Sequence, residues 1–130
     1  MQSKTLNITI NCAPKKVYEF VSNPEKMPEW AKAFCLAVTK QNGEWVMKTP
    51  HGAAAIRFAP QNEYGILDHY VKVAPGVEVY VPMRVVPNEK GSEVIFTLFR
   101  MPQMTEEDFA RDIEWVTRDL TSLKEVLEKQ

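Results

Sequence analysis

The amino-acid sequence predicts an α+β fold in which a curved, seven-stranded antiparallel sheet wraps around a long C-terminal helix, in the order β-α-α-β6-α. Three observations predict it. Leu6, Ile8 and Ile10 alternate with polar neighbours near the start, which is the period of a half-buried strand. From residue 34 to residue 100, runs of strand length are punctuated by turn formers at Asn42-Gly43, Pro50-His51-Gly52, Pro60-Gln61-Asn62, Pro75-Gly76 and Asn88 to Gly91, so six antiparallel strands follow one another as hairpins. After Met104, the residues Phe109, Ile113, Val116, Leu120, Leu123 and Leu127 recur at threes and fours, the apolar stripe of one amphipathic helix. A sheet that long must curl, and this stripe alone is long enough to cover its concave face.

The elements follow in order. Residues 4–10 form the first strand. Pro14 suits the first turn of a helix over 14–22, whose Val17, Phe20 and Val21 share one face. Asn23 and Pro24 stop that helix and, as N-cap and N1, start another over 24–31. The six hairpin strands come next, and Thr105 caps the terminal helix. Internal repeats, linkers and low-complexity segments are absent from the sequence, so residues 1–130 are expected to form one domain.

The chain has 130 residues, 45% of them hydrophobic, and a formal net charge of -1. That length supports a core without disulfides or metals. Lysines and arginines are scattered among acids, so no nucleic-acid partner is expected. The N-terminus lacks the apolar run of a signal peptide and no later run approaches a membrane span, and the expectation is a cytoplasmic protein. Cys12 and Cys35 are then two free thiols. With only His51, in a turn, and His69, in a strand, a metal site is not expected. The sequence has no nucleophile elbow, P-loop or dinucleotide fingerprint, so no cofactor is expected either. Cys35 has no identifiable base beside it.

Strand parity sorts the hairpin residues into two faces. A tight turn at Pro75-Gly76 opposes Val73 to Val77, Val71 to Val79, His69 to Val81 and Leu67 to Met83 on one face. The other face pairs Lys72 with Glu78 and Tyr70 with Tyr80, which are favourable cross-strand pairs. In the preceding hairpin, Arg57 opposite Asp68 makes an outer salt bridge and sets Ile56 opposite His69 and Phe58 opposite Leu67. In the following one, Met83 opposes Phe96 and Val81 opposes Leu98. A bulge near Pro82 would invert the faces beyond it. The inner wall is thus Ile56, Phe58, Leu67, Val71, Val79, Val81, Met83, Val94, Phe96 and Leu98, interrupted by His69 and, near one end, Arg100. His69 has only apolar neighbours within the sheet, so its partner must come from the long helix, a ligand or water. Asp112, about 60° round the helix from the apolar stripe at 100° per residue, is the acid best placed to look inward, with Trp115 farther along the same flank.

Several readings of these residues stay open. His69 is a structural histidine, a ligand contact or a general acid or base. Arg100 snorkels to solvent or meets a carboxylate or enolate oxygen at a pocket mouth. Met47, Met83, Met101 and Met104 fill core or line an adaptable cavity. Trp45 and Trp115 belong to the core, the rim or a ligand platform.

The segments APKKVYEFVSNPEKMPEW at 13–30, VPMRVVPNEKGSEVIFTLFR at 82–100 and EEDFARDIEWVTRDLTSLKEVLE at 106–128 resemble the helix-grip superfamily often called SRPBCC or START-like. That superfamily contains START-related lipid-transfer proteins, plant pollen allergens and polyketide cyclase or dehydrase-like proteins. The resemblance covers nearly the whole chain and implies that Trp30 packs near a cavity; Met27 stands where many relatives have an aromatic residue. It marks architecture and does not mark an activity. Three functions follow as expectations. The leading one is a non-catalytic carrier or sensor that binds a small hydrophobic or aromatic molecule between sheet and helix, through Trp30, Ile56, Phe58, Leu67, His69, Val81, Met83, Phe96, Leu98, Arg100, Asp112 and Trp115. The second is a polyketide cyclase or aromatase-like enzyme in which His69 and Asp112 move protons while Arg100 steadies an enolate. The third is an interaction protein or homodimer joined through an outer face carrying Ile66, Tyr70, Tyr80, Ile95 and Phe99.

Overall fold

In the computed structural model, which describes residues 1–130, the chain begins with β1 (Ser3–Ile10), α1 (Pro14–Val21), a 3-10 turn at Pro24–Lys26 and α2 (Met27–Trp30). Seven strands follow: β2 (Ala37–Gln41), β3 (Glu44–Thr49), β4 (Gly52–Phe58), β5 (His69–Ala74), β6 (Val77–Val81), β7 (Met83–Asn88) and β8 (Gly91–Phe99). The chain ends in α3 (Glu106–Glu128). This is the α+β helix-grip order, with eight strands where the sequence predicts seven. The extra strand arises at Pro82, which has no N–H for the ladder and splits one predicted strand into β6 and β7.

The strands lie in two antiparallel groups, β2-β3-β4-β5-β6 and β1-β8-β7. Backbone bonds across the split join them into one curved surface. Thr97 N donates to Pro82 O at 3.0 Å, Leu67 N to Met83 O at 2.8 Å and Val85 N to Gly65 O at 2.9 Å. The Ile66–Arg84 bridge keeps the register of the His69–Val81 pair, so the split does not invert the faces and Val81 and Met83 both point inward. Gly65 permits this junction. Its φ is +72°, and a Cβ there would lie 2.1 Å from the Val85 carbonyl oxygen, so any larger residue would push the strands apart.

Most of the expected register holds. Lys72 faces Glu78, Tyr70 faces Tyr80, Val71 faces Val79, and Met83 faces Phe96. Two corrections are needed. A bulge at Val73 sets Ala74, not Val73, opposite Val77. In the β4–β5 pair Phe58 faces His69 and Ile56 faces Val71, a slip of two residues from the expected pairing, which preserves every face because the side-chain period is two. The slip separates Arg57 from Asp68. Arg57 now sits over the Tyr70 ring at 4.5 Å and reaches Glu78 at 3.4 Å.

The helices are placed by local chemistry. Asn23 Oδ1 accepts from Glu25 N at 3.1 Å, so the expected cap is present, but it opens a 3-10 turn that runs into α2. At α3, Thr105 Oγ1 accepts from Asp108 N at 3.0 Å and Asp108 Oδ2 accepts from Thr105 N at 3.1 Å, a reciprocal capping box. At its other end Lys124 Nζ donates to Thr9 O at 2.8 Å and Glu128 accepts from Asn11 N at 2.7 Å, tying the last turns to β1. Leu120, Leu123 and Leu127, all buried, join Ile10, Val17, Val21, Met83, Val85 and Val94 in one core cluster. Each fully buried aliphatic side chain there contributes about 1.5–3 kcal/mol.

Candidate functional site

The two halves of α3 face the sheet differently. Its C-terminal half presents leucines and closes the core. Its N-terminal half presents Asp108, Asp112, Trp115 and Val116, with Asp119 just past the midpoint, toward Val71, Val79 and Val81. Short valines opposite carboxylates cannot close the gap between sheet and helix, since burying those acids against apolar carbon carries a large desolvation cost. A cavity of about 580 Å³ remains there, and 17 of its 25 lining residues are hydrophobic. That composition and volume match the usual range of small-molecule sites, about 300–1,000 Å³.

Eight expected site residues line this cavity: Trp30, Ile56, His69, Val81, Phe96, Leu98, Asp112 and Trp115. Four do not. Leu67 and Met83 are fully buried core residues, because the β7 end of the wall is covered by α1 instead of by the polar half of α3. Phe58 stands behind the cavity with its ring 5.1 Å from that of His69. Arg100 turns back along the chain: its Nε donates to Met104 O at 3.2 Å, and its Nη1 lies 3.4 Å from Gln2 Oε1 and 3.9 Å from Glu106. Its charge is thus met outside the cavity. Met101 and Met104 line the cavity, whereas Met47 is core.

His69 is 7% exposed, and its Nδ1 lies 3.0 Å from the carbonyl oxygen of Leu67. A carbonyl can only accept, so Nδ1 carries the proton. The partner is therefore in the same segment of chain, and not the long helix, a ligand or water, the three sources expected from the sequence. In a regular ladder the Met83 N–H would bond the Leu67 carbonyl. Here Asp68 Oδ1 takes that N–H, at 2.9 Å, and His69 Nδ1 bonds the carbonyl. Burial pushes the imidazole below its ordinary pKa, so the ring is neutral at pH 7. Its Nε2 makes no hydrogen bond within the protein.

Trp30 is a second polar group at this end. It is 4% exposed, and its Nε1 is a buried donor with no partner, the one such side-chain atom in the chain. Asp119, which the sequence reading missed, is buried and accepts from Ala33 N at 2.9 Å; burial pushes its pKa up to about 6. Its spacing from Asp112 and Trp115, seven and four residues, marks one helix face, and that was the available signal. Asp112 is half-buried, makes no hydrogen bond or ion pair within the protein, and has its pKa raised chiefly by burial.

The mouth of the cavity is marked by exposed lining residues, among them His51, Val73, Gln103 and Arg111. Trp115 is held there, with the His51 ring stacked at 5.8 Å and the Arg111 guanidinium over it at 5.4 Å. The sequence places His51 in a turn and carries no local trace of its stacking partner, which lies more than sixty positions away. Cys35 is buried with its thiol pushed up to about 11, by burial first and by Asp119 second, which makes it a poor nucleophile. Both cysteines are free, no cluster of side chains could hold a metal ion, and no helix is long and apolar enough to cross a membrane.

Solved structures share this architecture. The protein XoxI from Bacillus cereus matches with a TM-score of 0.77 and 16% identity, over 98% of this chain and 96% of that one. The Aha1 dimer from Colwellia psychrerythraea matches with a TM-score of 0.74 and 17% identity, over 98% and 97%. Ara h 8.0201 matches with a TM-score of 0.69 and 10% identity, over 99% of each chain. No family model and no curated protein matches the sequence. At such identities the shared property is the fold, and the chain is a helix-grip domain.

Proposed function

We propose that this chain is a non-catalytic carrier or sensor that holds a small hydrophobic or aromatic molecule between the sheet and the N-terminal half of α3. The observation that carries the reading is the cavity itself, about 580 Å³ in volume and lined mainly by apolar side chains. The few polar groups on it are the kind that orient a ligand. Native mass spectrometry of protein purified from cells, followed by a thermal-shift screen of hydrophobic compounds, tests it. A copurifying small molecule, or a rise in melting temperature with a subset of compounds, is the expected result; neither appearing ends the reading.

A second reading draws on His69 and Asp112 lining the same cavity. A cyclase-like enzyme would use the neutral imidazole as a base through Nε2 and Asp112 as its proton partner. Arg100 has no part in it, because its guanidinium is engaged outside the cavity. Full turnover by His69→Gln on an identified substrate would end this reading.

A further inference from the structure

The methionines divide sharply by position. Met27, Met47 and Met83 are at most 4% exposed, and Met1 stands open at the chain end. Met101 and Met104 alone combine partial exposure with a place on the cavity wall, which they share with Gln103 and Arg111 of the mouth. They also hold each other. Met104 N donates to Met101 O at 2.9 Å, and Met101 N donates to Met104 Sδ at 3.4 Å. Arg100 Nε ties the same turn at Met104 O, 3.2 Å away. The next residue, Thr105, is the N-cap of α3. A thioether is a weak acceptor, and here one closes the loop that leads from β8 into the helix over the cavity.

A thioether is also open to oxidation by peroxides. The sulfur lone pair attacks one peroxide oxygen and the O–O bond breaks. That oxygen stays on sulfur, the other departs with two protons as water, and the two electrons lost by sulfur are gained by the peroxide. A polar sulfoxide then stands where an apolar side chain stood. The wall that an apolar molecule must cover carries an S=O dipole, whose burial opposes binding. At Met104 the new oxygen also stands off from the sulfur that the Met101 N–H meets, so the turn has to widen to keep that bond.

We propose that Met101 and Met104 form a reversible oxidation site that regulates the cavity, peroxide converting them to sulfoxides and lowering the affinity for apolar molecules. A methionine sulfoxide reductase supplied with thiols reverses the change, the sulfoxide oxygen leaving as water while two thiols become a disulfide. The proposal rests on the carrier reading above and adds its regulation. Burial confines the reaction to this pair, because the three core methionines are shielded from an oxidant that arrives through solvent.

The test treats the wild-type chain with hydrogen peroxide, maps sulfoxides by mass spectrometry of its peptides, and titrates treated and untreated protein with N-phenyl-1-naphthylamine, an uncharged fluorescent probe. Met101 and Met104 should be oxidised while Met27, Met47 and Met83 are not, with the circular dichroism of the fold unchanged. The Kd of the probe should rise about tenfold, the scale of one polar group buried without a partner. Reductases for both sulfoxide epimers, with dithiothreitol, should return it to the starting value. The double variant Met101→Leu with Met104→Leu keeps Met1, Cys12 and Cys35, and its Kd should be the same before and after peroxide, read against its own untreated sample. An unchanged Kd in the oxidised wild type, a rise that persists in the double variant, loss of the fold, or oxidation of the core methionines in step with the pair overturns the proposal and leaves the carrier reading standing. Failure of the probe to bind untreated protein overturns the proposal, and together with an empty thermal-shift screen it ends the carrier reading as well.

Discussion

Asp68 and His69, adjacent in sequence and on opposite faces of the sheet, are coupled through the backbone. Asp68 Oδ1 accepts the Met83 N–H at 2.9 Å, and the Leu67 carbonyl, which that N–H would meet in a regular ladder, accepts from His69 Nδ1 at 3.0 Å. The carboxylate also makes a two-point pair with Arg84, Nε to Oδ1 at 3.0 Å and Nη2 to Oδ2 at 2.9 Å, and accepts from Tyr80 at 2.9 Å. They are therefore not an acid-base dyad; the Leu67 carbonyl fixes which imidazole nitrogen carries the proton, and Asp68 serves the outer face.

Replacing Asp68 with alanine should return the Met83 N–H to Leu67 O, whose second lone pair still accepts from His69 Nδ1. The imidazole nitrogen shifts in a 15N-detected spectrum should therefore keep the Nδ1–H tautomer. Stability should fall by about 1–2 kcal/mol, a discounted figure because Arg84 is half exposed. Arg84 holds the Asp68 carboxyl down at about 2, against 3.8 unperturbed. The folded value lies below the unfolded one, so the contribution is full above pH 3.8 and is lost as pH falls toward 2. Urea unfolding of wild type and D68A at pH 6 and pH 2.5 should show the difference between them shrinking at the lower pH.

Asp119 should behave in the opposite sense. Its folded pKa of about 6 lies above the unfolded 3.8, so the native state binds more protons between those values and stability declines as pH rises through that window. Asp119→Asn keeps an oxygen for the Ala33 N–H and removes the buried charge. The variant should match wild type at pH 4 and exceed it by about 1–2 kcal/mol at pH 7.5. His69, whose pKa is depressed by burial, contributes a slope of the other sign below pH 6.5 in both proteins, so the comparison between variants isolates Asp119. Equal pH profiles would show that Asp119 is not a strained carboxylate.

Cavity and core should respond differently to changes of size. Leu98→Trp adds volume where the cavity lies and should leave the melting temperature unchanged or higher while lowering ligand affinity at least about tenfold. Met83→Ala empties a fully buried site away from the cavity and should cost about 2–5 kcal/mol with affinity little changed. Differential scanning calorimetry and a naphthol titration on both variants check the pair; loss of binding in M83A without loss in L98W would misplace the site.

The outer face carries a row in which Tyr70 and Tyr80 stack at 5.2 Å and Tyr80 and Phe99 at 6.4 Å, with Tyr80 39% exposed. If this row joins two copies, wild type should run as a dimer on a calibrated sizing column, and Tyr80→Ser with Phe99→Ser should run as a monomer. A monomeric wild type removes that reading.

The order of elements, their caps and the inward or outward sense of nearly every strand residue were legible in the sequence, because they follow from local periods and turn chemistry. Thr105 could be read as a cap and Asn42-Gly43 as a hairpin turn without any knowledge of the rest of the chain. Even the two-residue slip that moved Arg57 from Asp68 to Glu78 left the faces intact, since parity survives an even shift. What only the tertiary structure decided was which part of the inner wall is filled and which is open. Leu67 and Val81 look alike in sequence, but one is buried in the core and the other lines the cavity beside the polar half of α3. The partners of His69, Trp115 and Asp119 were likewise decided there, because a buried polar group is answered by whatever backbone or ring the fold brings beside it, and that depends on contacts far apart in the chain.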